Sequence, residues 1–224
     1  MNLRELGTTD YLESWQAMRD FTAGRTPDTE DALWLTEHPP VFTLGQAGDP
    51  SHVLAAGTTP VVRSDRGGQV TYHGPGQIVA YVLVDLARRR IGVRPLVRLL
   101  EEAVVAVLAA HGIAAAGRID APGVYVGAAK IASIGLRVRH GRSYHGMSFN
   151  ADMDLEPFAR INPCGYQGLA VTDARRLGIT DSVAELRGQL AAQICTRWEL
   201  AAPGAQSNPG TTSTAPESPQ TAAA

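Results

Sequence analysis

The stretch Ile78-Val79-Ala80-Tyr81-Val82-Leu83-Val84-Asp85 is apolar and rich in β-branched residues. Because it lacks the alternation of a half-exposed strand, it predicts a strand buried on both faces of a sheet. Residues 95–111 follow it with apolar side chains at helical spacing, with Pro95 at the start and Gly112 after the end. This pattern predicts a long helix with one packing side.

Further helices and strands are predicted around this pair. Tyr11, Trp15 and Met18 fall at helical spacing, so residues 10–23 are predicted to form a helix whose apolar stripe belongs to the core. Ser182 and Glu185 have the spacing of a capping box, which predicts a last helix to about Trp198. Extended segments are predicted at residues 32–36, 41–45, 60–64 and 143–150, and a hairpin from residues 123–127 and 130–138.

The chain of 224 residues suits one α/β domain or one large mixed domain. We expect residues 1–200 to form that single domain. From residue 201 onward the chain consists mainly of Ala, Pro, Ser, Thr and Gly without apolar periodicity. This composition predicts a disordered tail at residues 201–224.

The overall composition excludes several classes of protein. A hydrophobic content of 44% and a formal net charge of -2 are ordinary for a globular protein and provide no general attraction to nucleic acid or membranes. No apolar run approaches the roughly 18 residues of a spanning helix, and the first residues lack a signal-peptide pattern. Cys164 and Cys195 are therefore expected to be free thiols, Cys195 as a small hydrophobe within the last helix. We expect a cytoplasmic protein.

Lysine occurs only once in the chain. Of the 20 basic residues, 19 are arginine and Lys130 is the exception. Arginine keeps its proton in proteins, whereas lysine loses it when desolvated, so Lys130 is a candidate for proton transfer. The competing interpretation is a surface lysine without a role.

Cys164 occupies a tight turn sequence, Ile161-Asn162-Pro163-Cys164-Gly165-Tyr166-Gln167-Gly168. Pro163 restricts the backbone before the cysteine, and Gly165 allows a close approach after it. This pattern predicts a thiol presented at a surface or cleft, although a loop cysteine without a role fits the local pattern equally well.

Several standard active-site motifs are absent from the sequence, including HExxH, paired-cysteine zinc spacings, the GxxxxGK[ST] phosphate loop and GxSxG. A cysteine and a solitary lysine remain, surrounded by glycine-rich segments. A thiol is an effective nucleophile only as the thiolate and needs a base or cation beside it. Lys130, flanked by small apolar residues, suits that role, and a Cys/Lys pair suits acyl transfer.

Five blocks of the chain resemble the octanoyltransferases of lipoate biosynthesis. They are His38-Pro39-Pro40-Val41-Phe42-Thr43-Leu44-Gly45, Arg66-Gly67-Gly68-Gln69-Val70-Thr71-Tyr72-His73-Gly74-Pro75-Gly76-Gln77, Lys130-Ile131-Ala132-Ser133-Ile134-Gly135, His145-Gly146-Met147-Ser148-Phe149-Asn150 and Arg160-Ile161-Asn162-Pro163-Cys164-Gly165. The resemblance runs from the first helix to the last and leaves out only the tail.

The resemblance implies a mixed β-sheet with packed helices, similar to the catalytic domain of biotin and lipoate protein ligases. It implies ATP-independent transfer of an octanoyl group from octanoyl-acyl carrier protein to a lysine of a lipoyl domain. In this family Cys164 would carry the acyl-thioester intermediate and Lys130 would activate its thiol. The segments that would line the acyl substrate contain Arg66, Gly67, Gly68, Gln69, Val70, Thr71, Tyr72, His73, Ser133, Ile134, Gly135, Gly146, Met147 and Ser148.

The remaining chemistry fits this interpretation. A thioester donor is already activated, so we expect neither a cofactor nor a metal. Lys130 or His73 would take the proton of the incoming amine, although either His73 or His145 can instead simply form hydrogen bonds within a turn. His38 is interpreted as a loop histidine rather than a ligand. Backbone N–H groups near the glycine-rich segments are expected to stabilise the oxyanion.

The expected partners are octanoyl-acyl carrier protein, the lipoyl domains of 2-oxo acid dehydrogenase complexes and the glycine cleavage H protein. The enzyme itself is expected to be a monomer. Because such carriers are typically acidic, we expect one of two basic runs to dock them, although such runs are usually just solvated surface. The runs are Arg88, Arg89 and Arg90, and Arg137, Arg139, His140 and Arg142.

Two other functions remain possible from the sequence. An ATP-dependent lipoate or biotin ligase would share the fold and a comparable lysine but would not need Cys164. A cysteine hydrolase or a silent acyl-binding module forms the second class, and a silent module would bind octanoyl groups without a covalent adduct.

Overall fold

A computed structural model of the chain describes residues 1–118, 121–163 and 168–201. The tail predicted to be disordered lies outside these residues from position 202 onward. In chain order the elements are β1 (Asn2–Thr8), α1 (Tyr11–Ala23), β2 (Ala32–Glu37), β3 (Val41–Leu44), β4 (Val61–Arg63), β5 (Val70–His73), β6 (Gln77–Leu83), α2 (Leu86–Arg89), α3 (Val93–Ala110), β7 (Ala116–Gly117), β8 (Gly123–Val126), β9 (Ala129–Arg139), β10 (Arg142–Asn150) and α4 (Val183–Leu200).

Seven of the described strands form one sheet in the order β1-β2-β6-β10-β9-β8-β7. Strands β1 and β2 are parallel, and the other neighbours are antiparallel. A smaller sheet has the order β4-β3-β5, with β3 parallel to β4 and antiparallel to β5. The predicted mixed sheet with packed helices is therefore confirmed.

The apolar run lies in the middle of the large sheet, and every residue of β6 is buried. Ile78, Ala80 and Val82 belong to the core formed with α3 and α4. Val79, Tyr81 and Leu83 belong to a second cluster with Met18 of α1 on the opposite face. The prediction of burial on both faces is confirmed, and it explains why this strand has no polar alternation.

Three strands and the short helix α2 were not predicted, and the start of α3 differs from its prediction. β7 has only two residues and α2 only four, too few to produce an apolar period. β1 was not predicted because it is a mostly exposed edge strand without an apolar pattern. β5 was not predicted because its four residues are flanked by glycines, which interrupt the sequence pattern of a strand. Helix α3 begins at Val93, before the predicted start at Pro95, which therefore lies in the first turn where its missing N–H costs nothing.

The last helix begins as predicted, because Ser182 and Glu185 form a reciprocal capping box. Cys195 in this helix is a free thiol that packs against the core as a small hydrophobe and is only partly buried. Burial raises the pKa of this thiol. No helix within the described ranges is both long and apolar enough to cross a membrane.

Candidate active site

A cavity lies between the glycine-rich segment with β5 and the face of the large sheet formed by β6, β9 and β10. Helix α1 contributes its first residue to the wall. The residues that line this cavity are Tyr11, Arg66, Gly68, Gln69, Val70, Thr71, His73, Val79, Tyr81, Lys130, Ser133, Ile134, Gly135, His145, Gly146, Met147 and Ser148.

Lys130 lies in the wall of this cavity and is only 3% exposed. Strand β9 pairs with β8 here, with Lys130 opposite Tyr125, and the Lys130 ammonium nitrogen lies 5.4 Å from the centre of the Tyr125 ring. On its other side, the Lys130 N–H donates to the Ala170 carbonyl oxygen at 2.8 Å, and the Thr172 N–H donates to the Lys130 carbonyl oxygen at 3.0 Å. The lysine backbone is therefore held from both sides.

Gly123 leaves room for the Lys130 side chain. A β-carbon at Gly123 would lie 2.5 Å from the Lys130 Cε atom and 3.2 Å from its Nζ atom, and the glycine has a φ of +141°. The Gly123 N–H donates to a carboxylate oxygen of Glu101 in α3 at 3.0 Å. This hydrogen bond holds the Gly123 backbone in place beside the Lys130 side chain. The path of the lysine side chain thus depends on a glycine in the neighbouring strand.

Cys164 itself lies outside the described residues, as do Gly165, Tyr166 and Gln167. The chain before it is anchored, because the Asn162 N–H donates to the His52 carbonyl oxygen at 2.8 Å. The chain after it pairs with β9 at Lys130. The segment that contains Cys164 therefore connects an anchored strand-like piece to the backbone of the buried lysine.

Arg66 holds the glycine-rich loop together and is 8% exposed. Its guanidinium donates to the Thr43 hydroxyl at 3.0 Å and to the Thr43 carbonyl oxygen at 2.5 Å. It also donates to the carbonyl oxygens of Gly67 at 2.9 Å and Gln69 at 2.8 Å. Lysine cannot reproduce this planar set of hydrogen bonds.

The loop approaches β9 closely at two glycines. The Gly67 N–H donates to the Leu136 carbonyl oxygen at 3.0 Å. A β-carbon at Gly135 would lie 2.9 Å from the Gly67 carbonyl oxygen. The backbone of the glycine-rich loop can therefore contact the backbone of β9 directly, and the loop covers one side of the cavity.

His73 ends β5 inside the cavity wall. Its Nδ1 lies 2.7 Å from the Gln77 Oε1, and Gln77 itself donates through Nε2 to Asn150 at 2.9 Å, so the His73 Nδ1 carries the proton. Burial, reinforced by His38 and Arg66, lowers the pKa of His73 to about 3. The imidazole is therefore neutral near pH 7 and is a weak base.

His145 lies in the same wall, although its sequence context is equally consistent with a turn histidine. Its Nε2 lies 2.9 Å from the Asp65 Oδ1, and the Asp65 carboxylate also accepts from the Trp15 indole at 2.7 Å and from the Tyr144 hydroxyl. Partial burial opposes ionisation of Asp65, but these hydrogen bonds hold its pKa well below its usual range. Burial lowers the pKa of His145 despite the carboxylate.

The sequence predicted Tyr11 to be a core residue of the first helix and His38 to be a loop histidine. Tyr11 is buried, as the apolar stripe predicted, but it also lines the cavity and stacks on His73 with ring centres 5.8 Å apart. His38 follows β2 and is fully buried, with its Nδ1 2.7 Å from the Thr9 carbonyl oxygen and its Nε2 2.6 Å from the Tyr81 hydroxyl. His38 thus supports the cavity wall from behind.

The structure brings most of the sequence-predicted lining residues to one cavity. Gly67 and Tyr72 do not line it. Gly67 serves the loop contact with β9, and Tyr72 points into the core of the small sheet beside Phe42 and Phe158. Within the described ranges, His, Cys, Asp and Glu side chains form no cluster of three that would suit a metal ion.

Known proteins resemble this chain in sequence. Residues 10–195 match the family model described as the lipoyl protein ligase A/B catalytic domain. An octanoyltransferase of Thiobacillus denitrificans is 61% identical over 183 residues, which cover 82% of this chain and 84% of that protein. An octanoyltransferase of Nitrosomonas eutropha is 56% identical over 191 residues, covering 85% of each chain.

Solved structures resemble it in fold. The bipartite lipoate protein ligase of Thermoplasma acidophilum superimposes with a TM-score of 0.72 at 17% identity, covering 88% of this chain and 83% of that one. The biotin protein ligase of Aquifex aeolicus gives a TM-score of 0.54 at 12% identity, covering 90% and 71%. At these low identities the solved structures show a shared architecture only. The sequence relatives are identical to this chain at more than half of the aligned positions, over most of its length.

Proposed function

This chain belongs to the octanoyltransferases of the lipoyl protein ligase A/B family, and on that premise we propose that it transfers octanoyl groups from octanoyl-acyl carrier protein to lipoyl domains through a thioester on Cys164, without ATP. The observation that carries the proposal is the position of Lys130. It is buried in the cavity wall, and its backbone is hydrogen bonded to the segment that follows Cys164.

In the first half-reaction the Cys164 thiolate attacks the carbonyl carbon of the octanoyl thioester. The new C–S bond forms as the bond to the carrier's pantetheine sulfur breaks, and the leaving thiolate takes a proton. Lys130 supports the Cys164 thiolate as the neighbouring cation and then supplies that proton. Backbone N–H groups of the glycine-rich segments stabilise the oxyanion, and one such donor is typically worth about 10²-fold in rate.

In the second half-reaction the lysine amine of the lipoyl domain attacks the acyl-enzyme. An amide forms, the C–S bond to Cys164 breaks, and the amine loses a proton. His73 was considered as the acceptor of that proton, but a pKa lowered to about 3 makes it a poor base near pH 7. Lys130 therefore takes the proton, and His73 shapes the wall. Using one cavity for both partners gives a ping-pong order.

The octanoyl chain occupies the apolar part of the cavity. Val70 of β5, Val79 of β6, Ile134 of β9 and Met147 of β10 provide its walls. Each buried methylene contributes about 0.8 kcal/mol, so an eight-carbon chain gains several kcal/mol from this slot.

An ATP-dependent ligase is the rival within the same fold. Such an enzyme would activate a free acid as an adenylate and would not use Cys164. Identity of 61% to an octanoyltransferase, against 17% to a lipoate protein ligase of known structure, supports the transferase.

The proposed acceptors are lipoyl domains of 2-oxo acid dehydrogenase complexes and the glycine cleavage H protein, and the enzyme acts as a cytoplasmic monomer. The β9–β10 hairpin is the better candidate for carrier docking. Arg139 and His140 are exposed there, and neither side chain makes a hydrogen bond or ion pair with another described residue. Arg88 and Arg89 instead bind internally to Asp31.

A donor-exchange assay tests the proposal. Octanoyl-acyl carrier protein without ATP is compared with free octanoate plus ATP, with a lipoyl domain as acceptor, for the wild type and Cys164→Ala. We expect turnover only from the carrier-bound donor and none from the variant. Turnover of free octanoate with ATP by Cys164→Ala would establish the ligase instead.

A further inference from the structure

A chain of buried hydrogen bonds connects Lys130 to His73, two residues that line the cavity. It begins at the Lys130 carbonyl oxygen, which accepts from the Thr172 N–H at 3.0 Å. The Thr172 carbonyl oxygen accepts from the Asn150 side-chain amide at 3.0 Å, and the Asn150 Oδ1 accepts from the Gln77 Nε2 at 2.9 Å. The Gln77 Oε1 lies 2.7 Å from the His73 Nδ1. The side chain of Asn150 therefore links the lysine strand to the glycine-rich segment.

The three residues in the middle of this chain lie away from solvent. Gln77, Asn150 and Thr172 are all buried. Asn150 and Gln77 are direct partners across β10 and β6, so the pairing of two strands of the large sheet fixes where the two amides meet. A buried amide that loses its partner cannot bond to water instead, and each of these bonds is therefore costly to break.

The direction of the side-chain bonds follows from a single acceptor. The Thr172 carbonyl oxygen can only accept, so Asn150 must present its NH₂ group to it. The Asn150 oxygen then faces Gln77, which must present its own NH₂ group, and the Tyr72 carbonyl oxygen accepts from the same nitrogen at 3.2 Å. The Gln77 oxygen is left for His73, whose Nδ1 carries the proton as a result.

Asn150 holds the neighbouring segment, residues 170–174, by its backbone as well. Its carbonyl oxygen accepts from the Ala174 N–H at 3.0 Å. On the other side of the segment, the Lys130 N–H donates to the Ala170 carbonyl oxygen at 2.8 Å. The segment is therefore held between the end of β10 and the start of β9, and a displacement of the segment displaces the lysine backbone with it.

We propose that Asn150 is a positioning residue for the acyl transfer: by donating to the Thr172 carbonyl oxygen it fixes the backbone that holds Lys130 in the cavity wall. This inference rests on the proposed function. Asn150 does not itself line the cavity, so it acts through the lysine and not on the substrate. Loss of its donor should therefore slow the chemistry and leave the Michaelis constant for the carrier unchanged.

Asn150→Asp tests the donor at almost constant shape. Its ionised carboxylate still accepts from Gln77 but offers no hydrogen to the Thr172 carbonyl oxygen, so two acceptors face each other. A protonated carboxyl group has one O–H donor and one acceptor, and burial favours this form. As the pH falls, Asn150→Asp should therefore regain the bond, whereas Asn150→Ala, which has neither donor nor acceptor, should not.

Ser143→Ala is the matched control. Ser143 lies in the same strand, β10, is fully buried, and donates through its hydroxyl to the Val82 carbonyl oxygen at 2.8 Å. Its removal also breaks a buried hydrogen bond to a backbone carbonyl, but at the opposite end of the strand from Asn150 and outside the cavity. Thermal unfolding verifies that each variant is folded and compares the stability that each one loses.

The first measurement is the labelling of Lys130 by an amine-reactive reagent, followed by peptide mass mapping. Lys130 is the only lysine, so the N-terminal amine of the same molecule is the reference. A buried lysine is labelled through local opening. At pH 8 we expect the ratio of Lys130 to N-terminal labelling to rise about tenfold in Asn150→Ala and Asn150→Asp and to stay unchanged in Ser143→Ala.

The second measurement is the rate of Cys164 acylation by octanoyl-acyl carrier protein, relative to the wild type at each pH. We expect a loss of about 10²-fold at pH 8 in both Asn150 variants, an unchanged Michaelis constant, and recovery at pH 6 in Asn150→Asp alone. Wild-type labelling and rates in both Asn150 variants, equal changes in Ser143→Ala, or no recovery of Asn150→Asp relative to Asn150→Ala overturns the inference and leaves the proposed function intact.

Failure of the proposed function gives a different result, namely no acylation of the wild type by the carrier-bound donor. The labelling ratio does not depend on that reaction, so it still decides whether Asn150 holds Lys130 in place. A ratio raised by Asn150→Ala and not by Ser143→Ala supports the positioning role, and equal ratios in the two variants overturn it.

Discussion

Lys130 is joined to Ala170 by a backbone hydrogen bond of 2.8 Å, and this bond places the chain that follows Cys164 beside the one lysine of the protein. Lys130 is also part of the cavity wall, and its side chain passes over Gly123 of the neighbouring strand. Two strands of the sheet and the segment after the cysteine therefore determine where the amine lies. The first prediction follows from the tight space at Gly123.

Replacing Gly123 by alanine should displace the lysine. The new β-carbon would lie 2.5 Å from the Lys130 Cε atom and slightly closer to the Ala132 carbonyl oxygen, so the lysine side chain and the adjacent backbone of β9 must both shift. A shift of about 1 Å at a reacting group can cost about 10²-fold, and we expect a loss of that size in the rate of Cys164 acylation. The control is Gly127→Ala, which also forces a positive φ, of +58°, but meets no atom within 4 Å. Equal rates in Gly123→Ala and the control would show that this contact does not position Lys130.

His73 should make the protein less stable in acid. Its pKa is lowered from 6.5 to about 3 in the folded state, so between these values the unfolded chain binds a proton that the folded chain does not. The stabilisation is present above about pH 6.5 and is lost as the pH falls toward about 3. Between about pH 7.5 and pH 4.5, this group should reduce the free energy of unfolding by about 3 kcal/mol.

Urea denaturation of the wild type and His73→Gln at both pH values measures this difference. The variant should lose about 3 kcal/mol less than the wild type on acidification. His140→Gln, a substitution at an exposed turn, serves as the control. The same acid-induced loss in the wild type and His73→Gln would rule out His73 as its source.

Asp31 should contribute strongly to stability without contributing to the chemistry. Its carboxylate is 5% exposed and accepts hydrogen bonds from Arg25 at 2.6 Å, Arg88 at 2.7 Å and the Trp198 indole at 3.2 Å. Asp31→Asn leaves the buried Arg25 guanidinium without its anion, and we expect a loss of about 3–5 kcal/mol in chemical denaturation. Asp28→Asn, at an exposed position three residues earlier, should change the stability little. A loss below about 1 kcal/mol in Asp31→Asn would contradict the role of this hub.

Charge at the β9–β10 hairpin should govern carrier affinity. Arg139→Glu is expected to raise the Michaelis constant for octanoyl-acyl carrier protein and for the lipoyl domain at low salt, with a smaller effect at high salt. Arg94→Glu reverses the charge at another exposed arginine, on α3, and should have no such effect. If Arg137→Glu and Arg139→Glu left both Michaelis constants unchanged across salt, the hairpin would not be the docking surface.

The sequence predicted the parts of the fold that depend on local patterns. The two-sided burial of β6, the capping box of α4 and the β8–β9 hairpin all have signals within a few residues. Strand β1 has none, because an exposed edge strand needs no apolar periodicity. The cavity residues near Arg66, Ser133 and Gly146 were predicted from family resemblance rather than from a physical pattern.

The residues that were missed depend on conformation or on distant partners. His145 has a left-handed φ of +59°, which has no counterpart in the sequence. Asp65 joins α1 to β10 through Trp15 and Tyr144, contacts 50 and 79 residues apart in the chain. The sequence gave no reason to connect Gly123 with Lys130. The connection is the missing β-carbon at Gly123, which leaves room for the Lys130 side chain. The position of Cys164 lies outside the described residues and stays a prediction.

Intact-mass measurement of the protein after mixing with octanoyl-acyl carrier protein, without ATP or acceptor, tests the central claim most directly. The wild type should gain one octanoyl group and lose it when a lipoyl domain is added. Cys164→Ala should gain none, and Lys130→Arg should be acylated far more slowly, because arginine does not exchange its proton. A wild type without an adduct that turns over only with ATP and free octanoate, or an adduct that persists in Cys164→Ala, would contradict the thioester on Cys164.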